Sequence, residues 1–321
     1  MSSRKTYPPK PLFLERMKKL LGKDFDNYLK ILEKQPVNSI RCNTLKIKPE
    51  ELLIRLENKG WGIIQPFKNF PEIMIIKSSL QPGELGRSLE HLLGYYYVQE
   101  IASMLPVLAL NPKPGELVLD VAAAPGSKTT QIGAKMENRG TIIANEVSIG
   151  RLKILASNTE RCGVLNAIIT KKDGVSLCKK LKEQGFLFDR ILVDAPCSGE
   201  GTIRSSNVTN LMWNPKTIIQ LSKLQKSLLV SAIEILKQGG EVVYSTCTHA
   251  PEENEEVLDF VLNEFGKNIS IERISLPIKC RPGIKEWNGN SYSKEVENSC
   301  RIYPQDNDTE GFFVAKIRRI K

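Results

Sequence analysis

The stretch that decides the fold is Leu117-Val-Leu-Asp-Val-Ala-Ala-Ala-Pro-Gly-Ser-Lys128, an apolar run that passes directly into a loop of small residues. The apolar half has the length and composition of a buried strand. The loop contains one glycine, Gly126, so it departs from the G-x-G-x-x-G dinucleotide pattern. Small residues let the backbone approach a ligand closely, and Gly126 permits a turn that a side chain would block. The stretch therefore predicts the first strand of an α/β sheet with a ligand at its carboxyl end.

Apolar segments alternate with segments of helical periodicity from Glu116 onward. Continuous apolar strands joined by helices are typical of a parallel sheet covered on both faces. The predicted strands are 117–121, 140–145, 166–170, 188–194 and 240–246, and the clearest helices between them are 149–162 and 217–237. We therefore expect an α/β fold with helices on both faces of the sheet.

The first part of the chain predicts a separate, smaller α+β unit. Its pattern indicates a helix over 11–35, a strand over 39–47, a helix over 49–59, a strand over 73–76 and a turn-rich linker over 81–86, with a long helix over 99–110 after it. We expect a small domain over residues 1–90 and a larger domain over residues 91–321.

The charge of the chain is positive and unevenly distributed. Lys and Arg total 46 against 36 Asp and Glu, and residues 1–50 alone hold 12 Lys and Arg against 5 Asp and Glu. A basic amino-terminal module favours a polyanionic partner, and nucleic acid is the obvious candidate. A lysine-rich solvated surface is the alternative.

Several classes of protein are excluded by what the sequence lacks. No apolar run reaches about 18 residues, so we expect no membrane span. Met1–Thr6 lacks the apolar stretch of a secretory signal, so we expect a cytoplasmic protein. The seven cysteines form no C-x-x-C pair and the histidines are only His91 and His249, so we expect neither a zinc site nor a disulfide framework.

The small-residue loop and the strand ends after it point to a nucleotide-like ligand. An alanine-lined turn suits the compact, cationic methionine end of S-adenosylmethionine better than a pyrophosphate. Glu146 follows the second strand, where an acidic residue can accept two ribose hydroxyls, and Asp173 follows the third, in a position to meet the adenine. The alternatives are an ordinary tight turn and two solvated carboxylates.

Two cysteines follow the next two strands, in Asp194-Ala-Pro-Cys197-Ser-Gly and Tyr244-Ser-Thr-Cys247-Thr. If these strands are neighbours, both thiols face one cleft at the ligand edge of the sheet. The alternative is a pair of buried apolar cysteines, which is the commoner fate of a free cysteine. A methyl donor beside a thiol nucleophile indicates methylation of a pyrimidine carbon that becomes nucleophilic only after a thiolate has added to the ring.

These motifs resemble those of the Sun/Nop family of RNA 5-methylcytosine methyltransferases. The resemblance runs from Ile40-Arg-Cys-Asn-Thr-Leu-Lys to Glu310-Gly-Phe-Phe-Val-Ala, and Gly94–Pro106 is similar to the family's entry helix. It implies a Rossmann-like methyltransferase domain preceded by an RRM-like RNA-binding module, with S-adenosylmethionine as cofactor. The implied cofactor-binding residues are Ala122, Ala123, Ala124, Pro125, Gly126, Ser127, Lys128, Glu146, Arg151, Asp173 and Asp194.

The chain departs from the family pattern at three positions. Ala122 stands where the family often has Cys, Ser127 where it often has Gly, and Glu146 where it usually has Asp. None of these changes abolishes the expected contacts, and each is a position where the affinity for the donor can differ from that of the family.

The resemblance also implies catalytic roles. Cys247 would add to C6 of cytosine, Asp194 would hold N3 or the exocyclic amine, Lys128 would contact or orient the base, and Cys197 would assist release of the product. Proline-cysteine supplies the nucleophile in DNA cytosine-5 methyltransferases, so Cys197 as the attacking group is the second hypothesis. The target base must be unstacked, which favours loops or ends of folded RNA.

Three questions stay open at this point. Transfer RNA is the expected substrate because the chain is compact and lacks long basic tails, and ribosomal RNA is the alternative. A cysteine-independent methyltransferase and an inactive RNA-binding factor remain as other classes. Arg301, in the segment predicted to return a final strand pair to the sheet, either lines the site or lies on the surface.

Overall fold

The computed structural model of this chain describes residues 7–321, so Met1–Thr6, on which the expectation about a secretory signal was based, lies outside the described residues. The strands are β1 (Asn38–Cys42), β2 (Ile63–Ile64), β3 (Ile73–Ile76), β4 (Tyr96–Val98), β5 (Leu117–Asp120), β6 (Thr141–Asn145), β7 (Ala167–Thr170), β8 (Phe188–Asp194), β9 (Leu236–Thr246), β10 (Ile269–Glu272), β11 (Arg281–Pro282), β12 (Glu286–Trp287), β13 (Asn290–Ser291), β14 (Cys300–Ile302) and β15 (Phe312–Arg319). The α-helices are α1 (Pro11–Leu21), α2 (Phe25–Leu32), α3 (Pro49–Glu57), α4 (Glu84–Arg87), α5 (Leu89–Leu92), α6 (Ile101–Leu110), α7 (Ser127–Lys135), α8 (Ile149–Cys162), α9 (Gly174–Glu183), α10 (Asn207–Met212), α11 (Pro215–Glu234), α12 (Glu255–Phe265) and α13 (Pro304–Asn307).

The large sheet confirms the predicted α/β fold. Its order is β11-β14-β15-β9-β8-β5-β6-β7, and β10 pairs with β15. The five strands from β9 to β7 run parallel, whereas β15 runs antiparallel to β9. The carboxyl ends of the parallel strands therefore lie along one edge. All five predicted strands are present, and β9 begins earlier than predicted because Leu236 already pairs with Phe188.

The small sheet has the topology expected of an RRM-like module. Its order is β4-β1-β3-β2, with every pair antiparallel, α3 between β1 and β2, and the short helices α4 and α5 between β3 and β4. Strands β2 and β4 are not predicted from the sequence, because two or three residues are too few to show alternation. Tyr96–Val98 pairs with β1, so the small sheet extends past the predicted boundary at residue 90.

The amino-terminal helices do not belong to the small sheet. The predicted single helix over 11–35 is two helices, interrupted at Gly22–Asp24, where Gly22 has φ +55°. Phe13 packs edge-on against Trp213, with ring centroids 5.5 Å apart, so α1 covers the larger domain. Lys18 and Lys19 on this helix are exposed, and much of the basic charge of the first fifty residues therefore flanks the larger domain.

A buried arginine joins the two domains. Arg41 on β1 donates to the carbonyl of Ser127 over 2.7 Å and to the hydroxyl of Thr130 over 2.8 Å, both on α7. Gly94, just before β4, lies against the end of α8 with φ +73°. A Cβ at Gly94 would lie 1.9 Å from the carbonyl oxygen of Arg161. The small sheet is thus held against the two helices that flank the small-residue loop.

The carboxyl-terminal segment returns β14 and β15 to the large sheet, as predicted. Arg301 neither lines the ligand edge nor lies on the surface, because its guanidinium forms a buried ion pair with Glu255 and also donates to the carbonyl of His249 over 3.0 Å. None of the helices described between residues 7 and 321 is both long enough and apolar enough to cross a bilayer.

Replacing Gly94 with alanine tests the contact between the domains. We expect Gly94→Ala to lower the free energy of unfolding by about 1–3 kcal/mol more than Gly60→Ala, because of overpacking against Arg161. Gly60 is the matched control, since its φ is also positive at +83° and nothing lies within 4 Å of its added Cβ. Urea unfolding measures the free energy of unfolding of both variants. Equal decreases in the two variants would contradict the close contact between Gly94 and Arg161.

Candidate active site

The small-residue loop connects β5 to α7 at the ligand edge of the sheet. Gly126 adopts φ +105°, and a Cβ added there would lie 3.1 Å from Leu155 on α8. The turn is closed by the amide of Gly126, which donates to the carbonyl of Ala123 over 2.8 Å. Helix α7 therefore begins directly after the loop, at Ser127, as the sequence predicts.

Asn145, which the sequence analysis did not select, connects the ends of three neighbouring strands. Its side-chain amide donates to the carbonyls of Val121 and Lys172 over 3.1 and 2.9 Å. Its side-chain oxygen accepts from the hydroxyl of Thr170 and the amide of Lys172 over 3.0 and 3.1 Å. The Asn145 side chain thus connects the carboxyl ends of β5, β6 and β7 beneath the loop.

Glu146 and Arg151 lie together beside the loop. The Glu146 carboxylate is buried, accepts from the amide of Ser148 over 2.8 Å and lies 3.3 Å from the Arg151 guanidinium. Arg151 also donates to the carbonyl of Ala124 over 2.5 Å. Asp173 is exposed and caps α9 by accepting from the amide of Ser176 over 2.9 Å.

Asp120 at the end of β5 is a buried carboxyl that is only half satisfied. One oxygen accepts from the hydroxyl of Thr129 over 2.7 Å, and the other has no partner among the described residues. Burial, together with the nearby charge of Asp194, raises the pKa of Asp120 to about 7. An unpaired carboxyl oxygen beneath the loop is the kind of group that a bound polar ligand satisfies.

The two predicted cysteines meet at the ends of β8 and β9. Their sulfur atoms lie 3.2 Å apart, and the amide of Cys247 donates to the sulfur of Cys197 over 3.3 Å. The hydrogen bond to Cys247 and burial raise the pKa of the Cys197 thiol well above its usual value. Cys197 therefore keeps its proton at neutral pH.

Asp194 is held in place by groups from two other elements, α7 and β9. One carboxylate oxygen is 2.7 Å from the Lys128 ammonium, and the other accepts from the hydroxyl of Ser245 over 2.7 Å. Lys128 also donates to the hydroxyl of Ser103 over 3.0 Å and lies over the ring of Phe312. The structure thus brings Lys128, Asp194 and both cysteines to one place, although they are far apart in the chain.

A buried carboxyl supports the turn that presents Cys197. Glu253 accepts from the amide of Ser198 over 3.0 Å and from the side chain of Gln225 over 2.8 Å. Gln225 also donates to the carbonyl of Pro196 over 2.8 Å. Burial raises the pKa of Glu253 to about 7.

A cleft of about 460 Å³ opens in front of these groups. Lys128, Asp194 and Cys247 line one side, and residues in and next to the small sheet, among them Ser39 on β1 and Gln99 after β4, line the other. A cleft of this volume accommodates a single unstacked base. Two further residues in its wall, Glu100 and Glu310, were not selected from the sequence, because isolated glutamates carry no motif.

The described residues 7–321 contain no cluster of three or more His, Cys, Asp or Glu side chains arranged to hold a metal ion.

The family described as 16S rRNA methyltransferase RsmB/F matches residues 107–318, and the N-terminal domain of 16S rRNA methyltransferase RsmF matches residues 9–101. The chain belongs to the RsmB/F family. The family consists of S-adenosylmethionine-dependent methyltransferases, so this RsmB/F member is an S-adenosylmethionine-dependent methyltransferase.

Individual relatives match along nearly the whole chain. It is 43% identical over 306 residues to a tRNA (cytosine(49)-C(5))-methyltransferase of Pyrococcus abyssi, covering 95% of each protein. It is 40% identical to ribosomal RNA small subunit methyltransferase F of Vibrio parahaemolyticus, where the match covers 96% of this chain and 62% of the relative. The chain therefore spans less than two thirds of the length of that ribosomal RNA enzyme.

Solved structures agree with this assignment. A methyltransferase homologue from Pyrococcus horikoshii superposes with a TM-score of 0.84 at 36% identity, covering 97% of this chain and 95% of the other. NSun6 from the same organism, solved with SFG, an analogue of S-adenosylmethionine, gives a TM-score of 0.81 at 26% identity, covering 97% and 98% of the two chains.

Asn145 provides a test of the donor site of this RsmB/F member. We expect Asn145→Ala to lower the free energy of unfolding by about 1–3 kcal/mol, because buried backbone groups lose their partners. We expect it to weaken S-adenosylmethionine binding roughly tenfold, or about 1.4 kcal/mol. Thermal unfolding and isothermal titration calorimetry measure the two effects.

The matched control is Asn263→Ala, because the side chain of Asn263 is exposed and bonds only to Asp259 on the same helix. If Asn145→Ala and Asn263→Ala had the same free energy of unfolding and the same affinity for S-adenosylmethionine, the role assigned to Asn145 would be contradicted.

Proposed function

We propose that this chain forms 5-methylcytosine in RNA, with Cys247 as the nucleophile that activates the base. The observation that carries the proposal is the 3.2 Å contact between Cys247 and Cys197, next to Asp194, in a cleft large enough for one base. A base-sized cleft lined by the Cys247 thiol, with the Cys197 sulfur directly against it, has no evident purpose in a methyltransferase whose acceptor is already nucleophilic.

The residues around the loop fit S-adenosylmethionine. The compact turn Ala122–Ser127, with Lys128 after it, would hold the methionine end, Glu146 the ribose hydroxyls and Asp173 the adenine side, while Asp194 lies between donor and base. Arg151 would keep Glu146 and the Ala124 carbonyl in position through its two contacts. The unpaired oxygen of Asp120 supports a polar ligand at this place. When bound, S-adenosylmethionine supplies an electrophilic methyl group.

Cys247 would overcome the low reactivity of the pyrimidine ring. Cytosine C5 is too electron-poor to take a methyl group directly, so the thiolate of Cys247 adds to C6 and makes C5 an enamine carbon. Cys197 keeps its proton, as its raised pKa indicates, and a neutral thiol is a poor nucleophile. A protonated Cys197 is therefore the poorer candidate for the attacking group, and its proton suits it to assist release of the Cys247 sulfur.

Asp194 and Lys128 would orient the target base. The Lys128 ammonium forms an ion pair with the Asp194 carboxylate over 2.7 Å, and the Ser245 hydroxyl fixes the direction of that carboxylate. A carboxylate accepts hydrogen bonds only, so Asp194 would bind the exocyclic amine of cytosine. The cleft holds the base away from its neighbours, which requires an unstacked nucleotide.

Transfer RNA is the substrate that we propose, in the cytoplasm. The match to the tRNA enzyme covers 95% of both chains, whereas the ribosomal RNA relative is much longer than this chain. Small-subunit ribosomal RNA is the second candidate, because both matching family descriptions name a 16S rRNA methyltransferase.

Covalent trapping tests the nucleophile. We expect Cys197→Ala, incubated with unmodified RNA and S-adenosylmethionine, to accumulate a protein–RNA band on a denaturing gel, because release is blocked. We expect Cys247→Ala to give no band and no methyl transfer. Cys280→Ala is the control, since Cys280 is half-buried and does not line the cleft. Methyl transfer by Cys247→Ala at the wild-type rate would contradict the thiol mechanism.

A competition between substrates tests the RNA class. We expect the wild-type protein to transfer labelled methyl groups to unmodified tRNA transcripts at least ~10-fold faster than to a 16S rRNA transcript. Sequencing of the RNA in the trapped band locates the cytosine, and position 49 is the first to examine because the Pyrococcus abyssi relative is named for it. The reverse preference would make ribosomal RNA the substrate.

A further inference from the structure

The large domain covers the sheet face that an RRM module uses to bind RNA. Such a module stacks bases on side chains of its four-stranded sheet. The face of the small sheet away from α3 carries Arg41 on β1 and Ile73 on β3, and both side chains are buried. Ile73 packs against Ile101 and Met104 of α6, and Arg41 bonds to α7. An RNA strand that enters the active-site cleft must therefore bind the protein at another surface.

A second pocket, of about 610 Å³, opens next to the active-site cleft. This flanking pocket lies between the segments 7–9, 29–35 and 203–205. Ser205 lines both the flanking pocket and the cleft that contains Cys247. Gln35 lines the flanking pocket, and the next residue, Pro36, lines the cleft. The two cavities are therefore adjacent and can hold two consecutive nucleotides of one strand.

Contacts between distant segments hold the walls of the flanking pocket in place. The buried guanidinium of Arg204 donates to the carbonyl of Gln35 over 3.3 Å and forms an ion pair with Asp308 over 2.7 Å. The side-chain amide of Asn210 donates to the carbonyl of Tyr7 over 2.9 Å. The flanking pocket is therefore largely pre-formed, which reduces the entropic cost of binding a ligand there.

The flanking pocket combines an aromatic ring, an aliphatic wall and an exposed ammonium group. Tyr7 and Leu29 supply apolar surface, and Lys34 is exposed at its edge. Lys34 also lines a neighbouring depression together with Lys30, which is exposed as well. Glu33 is a carboxylate in the same lining, and the two ammonium groups outnumber it. Aromatic and apolar surface for a base, beside a cation for its phosphate, is typical of sites for single-stranded nucleic acid.

We propose that the flanking pocket binds the nucleotide next to the target cytosine, with its base against Tyr7 and its phosphate at Lys34. This inference rests on the proposed function, because it assumes that the target base enters the cleft at Cys247. A neighbour bound in this way is unstacked from the target, so it helps to expose the cytosine. The flanking pocket would also help to determine which cytosines are methylated.

Abasic RNA tests whether the neighbouring base is bound. Two RNA substrates are prepared, one without the base on the 5′ side of the target cytosine and one without the base on the 3′ side. We expect the KM of the wild-type protein to rise about tenfold for one of them, because stacking on a protein side chain contributes about this much per base. The sensitive RNA identifies the side of the target that the flanking pocket holds. Wild-type KM values for both RNAs would overturn the inference.

Tyr7→Ala connects this loss to the flanking pocket. We expect KM to rise about tenfold on intact RNA and to rise no further on the sensitive abasic RNA, because the base that packs against Tyr7 is already missing. Phe186→Ala is the control, since Phe186 is 44% exposed in the loop before β8 and does not line the flanking pocket. Equal effects of Tyr7→Ala on intact and abasic RNA would assign Tyr7 a structural role and overturn the inference.

The salt dependence of KM tests the phosphate contact of Lys34. We expect Lys34→Gln to raise KM with kcat unchanged and to lower the slope of log KM against log salt concentration by about 0.7, the value for one phosphate of a single strand. We expect Lys34→Arg to keep the wild-type slope. Lys180→Gln is the control, because Lys180 is exposed on α9. Equal slopes for Lys34→Gln and Lys180→Gln would overturn the phosphate contact.

The failure of this inference and the failure of the proposed function give different results. If the wild-type protein methylates no cytosine in intact RNA, the proposed function fails, and the inference that rests on it fails as well. If the wild-type protein methylates cytosine while Tyr7→Ala and the abasic RNAs leave KM unchanged, only the role of the flanking pocket is overturned.

Discussion

The site depends on the parallel pairing of β8 with β9. In this register Asp194 lies opposite Ser245, so the hydroxyl of Ser245 reaches the Asp194 carboxylate and the two chains leave the sheet side by side. Fifty residues separate the cysteines in sequence, yet their sulfur atoms meet because both follow these strand ends within three residues. A slip of one residue would turn Ser245 to the other face of the sheet and break the contact with Asp194.

The site contains several buried carboxyl groups, and burial disfavours their charged forms. Burial raises the pKa of Glu100, Asp120 and Glu253 to about 7 and also raises that of Glu310. Glu100 and Glu253 bind backbone amides and shape the walls. One oxygen of Asp120 instead has no partner among the described residues and faces the place proposed for S-adenosylmethionine. Such groups lower the stability of the empty protein and are typical of sites where binding restores the missing hydrogen bonds.

The two domains form one site, because polar contacts fix the small domain against the helix that carries Lys128. Arg41 from the small sheet bonds to the first turn of α7, which is also the helix that carries Lys128. The segment after α2 and the residues around β4 then complete the cleft opposite Cys247. An RNA bound to the small domain would thus present its base to groups whose positions the small domain itself helps to fix.

The sequence by itself determined the parallel strands, the small-residue loop and the two cysteine motifs. Each of these is a local pattern: an apolar run fits a buried strand, and small residues around Gly126 fit a tight turn. The tertiary structure alone decided the short strand Tyr96–Val98, the buried pair of Arg301 with Glu255, and the partners of Asn145. It also decided that Glu310 is buried in the wall of the cleft, because burial depends on how distant segments of the chain pack, and a lone glutamate looks the same in sequence whether it is solvated or buried.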